Sequence, residues 1–456
     1  METSLQLAKY SVGVGDRFGH QARAQLAACQ QALAAGVEVI PVWNKSHREH
    51  QIIGSRPESV RAAAEAAVRA AGWDRPWHVD ADHIRPDIVE PYLPHCDYFT
   101  LDVAEAIGRP APTDRVTNFL RRHPELSDRL ELPGLDTPLE VRTREVEQAA
   151  CRYLQAVESA ATAYRIIAGA KPPGSFIVEV SMDETDQPQT ALELLVILAA
   201  LADAGVPVQT VAPRFVGRFN KGVDYVGDLQ AFERQLHEFL AVLRFARTHY
   251  GLPPNLKLSV HSGSDKFSLY PILHRVMRKH DVGLHVKTAG TTWLEELLGL
   301  IESGGAGLAL ARTLYAEALA HIDELCAPYA AVIDIDRHRL PSVEQVNRWS
   351  PEEFAAALRH DPRHPAFNPH LRQLFHVGYK LAARKGRAFL DLLEQHSEHI
   401  ASLVTANLYE RHLRPIFVGE HPKEHPTSLN HERLRTEDPQ DRFAGLPGAR
   451  CPGAPA

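Results

Sequence analysis

The segment WHVDADHI, Trp77–Ile84, begins as an apolar strand and ends in charged and imidazole side chains. Asp80, Asp82 and His83 stand where a strand that only completed a hydrophobic core would stay apolar. Burying an unpaired charge is costly, so such a strand end predicts either ion pairing or a functional site. The choice depends on whether other strands of the chain end in the same way.

Seven further segments are short runs of apolar residues or of alternating apolar and polar residues, the pattern of a β-strand. Amphipathic helical patterns separate most of the eight predicted strands. Eight strands that alternate with helices predict an α/β fold, a (β/α)8 TIM-type barrel. A doubly wound open sheet is the alternative, but no G-x-G-x-x-G turn opens a first helix. The predicted strands are residues 10–16, 37–43, 76–80, 97–102, 175–181, 207–213, 257–262 and 283–288.

Two parts of the chain interrupt the repeat and predict its domain organisation. Residues 105–170 have mostly helical patterns and form an insertion after strand four, within a catalytic barrel of residues 1–290. Residues 291–417 predict a helical C-terminal extension packed on the barrel. Residues 418–456 are rich in proline, histidine and charge, which predicts a disordered tail.

The bulk composition excludes several classes of protein. The 456 residues carry a net charge of -7, which is no basis for a nucleic-acid surface. The five cysteines are scattered without a C-x-x-C pair, as in proteins of a reducing compartment. We find no signal peptide and no apolar run of transmembrane length. We therefore expect a cytoplasmic protein without a nucleic-acid or membrane partner, for which a homo-oligomer is possible.

Polar side chains follow nearly every predicted strand, at the end of a barrel where active sites lie. The cations among them suit either an anionic substrate, such as a carboxylate or phosphate, or a network that neutralises the acids. Asp16, Arg17, Asp102, Asp183, Arg214, Lys221, Lys266 and Lys287 are the candidate substrate-binding residues.

Glu179 interrupts the otherwise apolar strand SFIVEVS. A buried carboxylate there requires either a function or a structural partner such as lysine or arginine. In an apolar strand its pKa is expected to be raised. Three histidines, His83, His261 and His285, stand at the ends of strands three, seven and eight, where they would bind a metal or serve as structural hydrogen-bonding residues.

Several longer strings resemble the tagaturonate/fructuronate epimerase family. The matching strings are GVGDRFG, VDADHI, FTLDVA, VEVSMDETDQP, RFVGRFNKGVDYVGDL, SVHSGSDKFSLYP, HVKTAGTTWLE and LRQLFHVGYK, which span about residues 10–417. The loop WNKSHREH after strand two differs from the family pattern.

This resemblance implies a divalent-metal-dependent epimerase that interconverts D-tagaturonate and D-fructuronate. It implies Asp82 as proton acceptor, Glu179 as proton donor and Lys221 as a substrate-binding residue. It implies metal ligands at His83 and His261, with His285 as the third, for an ion such as Zn, Mn, Co or Ni.

The carbon that such an enzyme inverts lies β to the ketone, so simple enolisation does not labilise its hydrogen. We expect retro-aldol cleavage and re-addition, with direct removal of the carbon-bound proton as the alternative. A metal-dependent aldolase or sugar isomerase would use the same residues, and a catalytically inactive sugar-acid-binding protein is a third interpretation.

Overall fold

Eight parallel strands close into a barrel, which confirms the fold predicted from the sequence. The computed structural model describes residues 4–288 and 290–419. The barrel strands are β1 Tyr10–Gly15, β2 Ile40–Ser46, β3 His78–Ile84, β4 Tyr98–Asp102, β7 Ile177–Ser181, β8 Thr210–Ala212, β9 Lys257–Val260 and β10 Leu284–Lys287. They follow one another around the barrel in this order, and β10 pairs with β1 to close it.

Amphipathic helices surround the barrel because the outward side chains of parallel strands need an apolar cover. Helix α1, for example, buries Leu26, Ala28 and Cys29 completely. The helices up to the end of the barrel are α1 Ala22–Ala34, α2 His47–Ile53, α3 Pro57–Ala71, α4 Thr113–Arg122, α5 Thr143–Ala170, α6 Ala191–Asp203, α7 Leu229–His249, α8 Tyr270–His280 and α9 Thr291–Glu302.

The insertion after β4 differs in part from the mostly helical pattern that its sequence indicates. Between α4 and α5, the short strands β5 Asp128–Leu130 and β6 Leu139–Val141 pair antiparallel, with Leu130 opposite Leu139. Three-residue strands are too short for a period-two pattern to emerge from the sequence.

The part of the C-terminal extension that follows α9 packs on this helix, which is buried almost all round and contributes Trp293 to a second hydrophobic core that also contains Tyr379. A π-helical segment, Asn407–Val418, contains Pro415, whose missing N–H cannot continue an α-helical ladder. The helices of the extension are α10 Gly305–Ala320, α11 Ile322–Cys326, α12 Val343–Arg348, α13 Pro351–Leu358, α14 Pro369–Val377, α15 Tyr379–Arg384, α16 Arg387–Gln395 and α17 Ser397–Ala406.

The described residues belong to one compact unit. The domain boundaries predicted from the sequence, including the one at residue 290, stay predictions. The predicted disordered tail lies outside the described residues from Glu420 onward. Within the described ranges, no helix is both long and apolar enough to span a bilayer.

Candidate active site

A cavity of about 520 Å³ opens at the C-terminal ends of the barrel strands. Active sites of (β/α)8 barrels lie at this end because the loops after the strands converge there. The predicted site residues that line it are Arg17, Asp82, His83, Asp102, Asp183, Lys221, His261 and Lys287. The other predicted site residues, which lie below or beside it, are Asp16, Glu179, Arg214, Lys266 and His285.

Lys287, at the end of β10, joins three carboxylates on the floor of the cavity. Its Nζ lies 2.7 Å from Asp82 Oδ1 and 2.8 Å from Asp80 Oδ2. The same atom lies 3.1 Å from Glu179 Oε1. All four side chains are buried. Because a buried ammonium needs such partners, the cluster explains why β3 and β7 carry acids inside the barrel.

The charges in this cluster decide which acids are ionised. Burial by itself would raise the pKa of Asp82, but the adjacent His83 and Lys287 lower it. At Glu179, too, burial by itself would raise the pKa, but Lys287 and His261 hold it well below its usual value. The expectation of a raised Glu179 pKa is therefore wrong, because these cations come from distant strands. At Asp80, by contrast, burial prevails and raises the pKa to about 7.

Three side chains at the edge of the cavity form a possible metal site. The nearest atoms of His83, Asp183 and His261 lie within 4.8 Å of one another. His261 Nδ1 is 3.0 Å and His83 Nε2 is 3.7 Å from Asp183 Oδ1. His83 Nε2 is buried and has no hydrogen-bond partner among the described residues. Two imidazole nitrogens and one carboxylate fit a first-row divalent cation and leave coordination positions open.

The backbone at the end of β3 aims His83 at this group. The pairing register of β3 with β4 shifts between Ala81 and Ile84, and His83 adopts a φ of 52°. A histidine in the left-handed region is uncommon and carries strain, which is frequent at functional sites. His83 Nδ1 lies 2.9 Å from Asp82 Oδ1, so the carboxylate orients the ring and leaves Nε2 directed at Asp183.

His285 does not join this group, and its role as the third ligand stays a prediction. It is fully buried, its Nδ1 lies 2.9 Å from Ser11 Oγ, and burial lowers its pKa to about 3. On β10, His285 and Lys287 share the inward face but are separated by about 6.6 Å along the strand. Lys287 therefore reaches the cavity, His285 lies one layer deeper, and Asp183 takes the third position beside His83 and His261.

Two residues that the sequence predicts as substrate ligands form hydrogen bonds with the backbone. The Asp16 carboxylate accepts hydrogen bonds from the backbone N–H groups of Gly19 and Gln21. The buried Lys266 ammonium donates to three backbone carbonyls, at 2.7 to 2.9 Å. Arg214 lines a small side cavity next to Asp183 rather than the main cavity. A strand-end position therefore identifies the mouth of the barrel but not the direction of each side chain.

Several cavity residues lie outside the predicted set. Arg48 belongs to α2, whereas Tyr329 and His376 belong to the C-terminal extension. Arg17 connects the two parts: its Nη1 donates to His376 O, and its guanidinium stacks on Tyr379 at 3.9 Å. The string LRQLFHVGYK, which contains His376, is one of those that resemble the family, but sequence spacing could not place His376 in the cavity.

Comparison with protein families gives one match that covers nearly the whole chain. The sequence model of the tagaturonate epimerase family matches residues 2–416. A tagaturonate/fructuronate epimerase of Thermotoga maritima is 30% identical over 423 residues, which are 88% of this chain and 80% of that protein.

Solved structures match the same fold. A glycerol complex of the fructuronate-tagaturonate epimerase from Cohnella laeviribosi has a TM-score of 0.75 and is 24% identical, covering 91% of this chain and 82% of that one. The native structure of the Cohnella laeviribosi enzyme has a TM-score of 0.73 at the same identity and coverage.

Proposed function

The chain belongs to the tagaturonate epimerase family, and on this premise we propose that it is an isomerase that interconverts D-tagaturonate and D-fructuronate. The observation that carries the proposal is the joint position of Asp82, Lys287 and a possible metal site in one cavity at the mouth of the barrel. A cavity of about 520 Å³ has room for a six-carbon sugar acid.

In the proposed mechanism Asp82 is the general base. Its depressed pKa keeps it ionised near neutral pH, and it lines the cavity. Asp82 takes the proton of the hydroxyl on the inverting carbon, and the bond from this carbon to the carbon next to the ketone breaks. An aldehyde and an enediolate result. After the aldehyde turns over, the same bond forms on its other face and the new alkoxide takes up a proton.

We propose that Glu179, the proton donor that the resemblance implies, acts through Lys287, because its depressed pKa leaves its own carboxyl without a proton. It is 0% exposed and is not among the described residues that line the cavity. Lys287 touches Glu179, Asp82 and the cavity, so its ammonium gives a proton to the new alkoxide and regains the proton that Asp82 took up, while the Glu179 carboxylate stabilises the ammonium. The alternative mechanism, direct removal of the carbon-bound proton, needs acid–base groups on opposite faces of that carbon. Asp82 would supply one of them, but Lys287, 2.7 Å from Asp82, lies on the same side.

We further propose that His83, Asp183 and His261 hold a divalent cation, such as Zn, Mn, Co or Ni. When bound there, it would supply Lewis-acid stabilisation for negative charge that develops on substrate oxygens. Lys221, which donates to Ser262 Oγ at 2.7 Å and lines the cavity, is the proposed cation for the substrate carboxylate.

The test is to strip the protein with a chelator, restore single metals, and follow D-fructuronate and D-tagaturonate by NMR. We expect interconversion only after metal is restored. Asp82→Asn should lower kcat/KM by about 100-fold or more, the usual contribution of a general base, and Glu179→Gln should lower kcat/KM by loosening Lys287. Asp87→Asn, an exposed change outside the cavity, is the matched control.

The outcome also separates the alternatives. Net release of a three-carbon aldehyde would identify an aldolase that uses the same residues. Binding of the sugar acids without any turnover, by metal-restored protein, would contradict the epimerase proposal.

A further inference from the structure

His376 is a polar residue that the C-terminal extension places in the wall of the barrel cavity. It lies in the last turn of α14 and is 3% exposed. Its Nδ1 is buried and has no hydrogen-bond partner in the described part of the chain. An unpaired buried nitrogen costs free energy, so its persistence in the wall of a substrate-sized cavity points to a ligand that pairs with it.

The surrounding backbone holds this imidazole in one place. Arg17 Nη1 donates to His376 O at 3.2 Å, and Trp293 Nε1 donates to Phe375 O at 2.7 Å. Gly290 lies directly against the ring, since a Cβ built there would be 1.9 Å from His376 Nε2. Glycine at position 290 is therefore required for the ring to occupy this position.

The charge around His376 defines the kind of group that it can bind. Burial lowers its pKa well below the usual histidine value, and the positive charges of Arg17 and Lys221 lower it further. The imidazole is therefore neutral, with one nitrogen that donates and one that accepts. A hydroxyl group suits either tautomer because it both donates and accepts, whereas a carboxylate only accepts.

We propose that His376 is a substrate-binding residue whose imidazole forms a hydrogen bond with a hydroxyl group of the sugar acid in the cavity. This proposal rests on the proposed function and extends it: the C-terminal extension completes the active site by fixing the orientation of the substrate. The acid–base groups and the possible metal ligands come from the barrel, so losing this contact weakens binding more than it weakens chemistry.

The experiment compares His376→Phe and His376→Asn in the metal-restored enzyme with D-fructuronate as substrate. Phenylalanine fills the space without hydrogen bonding, whereas asparagine keeps a polar atom near Nδ1. We expect His376→Phe to raise KM about tenfold, the effect of one lost hydrogen bond, with kcat within about threefold of the wild type. His376→Asn should recover most of the loss. His370→Phe, in the same helix but outside the cavity lining, is the matched control.

The proposal is overturned if folded His376→Phe enzyme keeps KM within about twofold of the wild type. It is also overturned if the control raises KM equally, because the effect would then come from the helix. If His376→Phe does not fold, Gly290→Ala, which displaces the ring, decides by the same split between KM and kcat. A wild-type protein that turns over neither sugar acid contradicts the proposed function instead, so the two failures are distinguishable.

Discussion

The ammonium nitrogen of Lys287 lies 2.7 Å from Asp82 Oδ1, although 205 residues separate the two in the sequence. Lys287 also contacts Asp80 and Glu179, so one cation is shared by three buried acids. Burial alone would lower the pKa of Lys287, but the contacts with these acids raise it well above its usual value. The ion pairs therefore keep Lys287 charged where it meets the cavity.

Lys287→Met should abolish most activity and destabilise the fold. Without the ammonium, the three buried acids face one another without their shared cation, and removal of one partner from a buried ion pair costs about 3–5 kcal/mol. We expect kcat/KM to fall by about 100-fold or more. Activity assays and urea unfolding check this, with Lys287→Arg as the charge-retaining comparison. Wild-type activity in Lys287→Met would contradict the proposed proton path.

Asp183→Asn should weaken metal binding, whereas His285→Asn should not. Asp183 lies beside His83 and His261, but His285 lies one layer deeper against Ser11. We expect the affinity for Zn or Mn to fall by more than about 100-fold in Asp183→Asn, because this exceeds the effect of losing an outer-shell partner. Competition with a chelator measures it. The reverse result would restore His285 as the third ligand.

Arg372→Met should destabilise the junction between the barrel and the extension. Arg372 Nη2 lies 2.8 Å from Asp265 Oδ2, and both side chains are 0% exposed. The variant leaves the Asp265 carboxylate without its main cation, at an expected cost of about 3–5 kcal/mol in the free energy of unfolding. Arg384→Met removes the exposed pair with Glu324 and should cost at most about 1 kcal/mol. Equal losses of unfolding free energy in the two variants, measured with urea, would refute this difference between the buried and the exposed ion pair.

Glu295→Gln should stabilise the protein at high pH. Burial raises the pKa of Glu295 from 4.5 to about 7, so the folded state favours the neutral acid. This preference contributes stability that is fully present below pH 4.5 and is lost as the pH rises through about 7. The variant should therefore gain up to about 3 kcal/mol over the wild type at high pH.

The measurement for Glu295→Gln is urea unfolding at an acidic and an alkaline pH. Its advantage over the wild type should shrink toward zero as the pH falls below the unfolded-state pKa. Glu398→Gln, at an exposed position of α17, should show no such dependence. A pH-independent effect of Glu295→Gln would mean that packing rather than ionisation is responsible.

Much of the candidate site could be predicted from strand ends because parallel strands of a barrel deliver their last residues to one mouth. Asp82, His83, His261 and Lys287 all reach the cavity as that rule requires. The rule does not predict how deep in the barrel each side chain lies. His285 precedes Lys287 by two residues on the same strand, and only the register of β10 against β1 and β9 fixes which of them meets the cavity.

The ionisation of Glu179 could not be predicted, because it depends on partners remote in the chain. The local sequence shows apolar neighbours and indicates a raised pKa, whereas the fold brings Lys287 and His261 to the carboxylate and lowers it. Coulomb interactions between groups a few ångströms apart outweigh the local environment once the barrel has closed.

The sequence by itself determined the barrel, because periodicity of apolar residues is a local property that each strand and helix carries. It also determined the kinds of chemical groups at the mouth. The tertiary structure decided which groups meet: Asp183 rather than His285 beside the two histidines, and His376 of the extension in the cavity wall. These pairings depend on the stagger of the strands and on the contact of Arg17 with α14. Both are spatial relationships between distant parts of the chain, so the spacing of residues in the sequence does not reveal them.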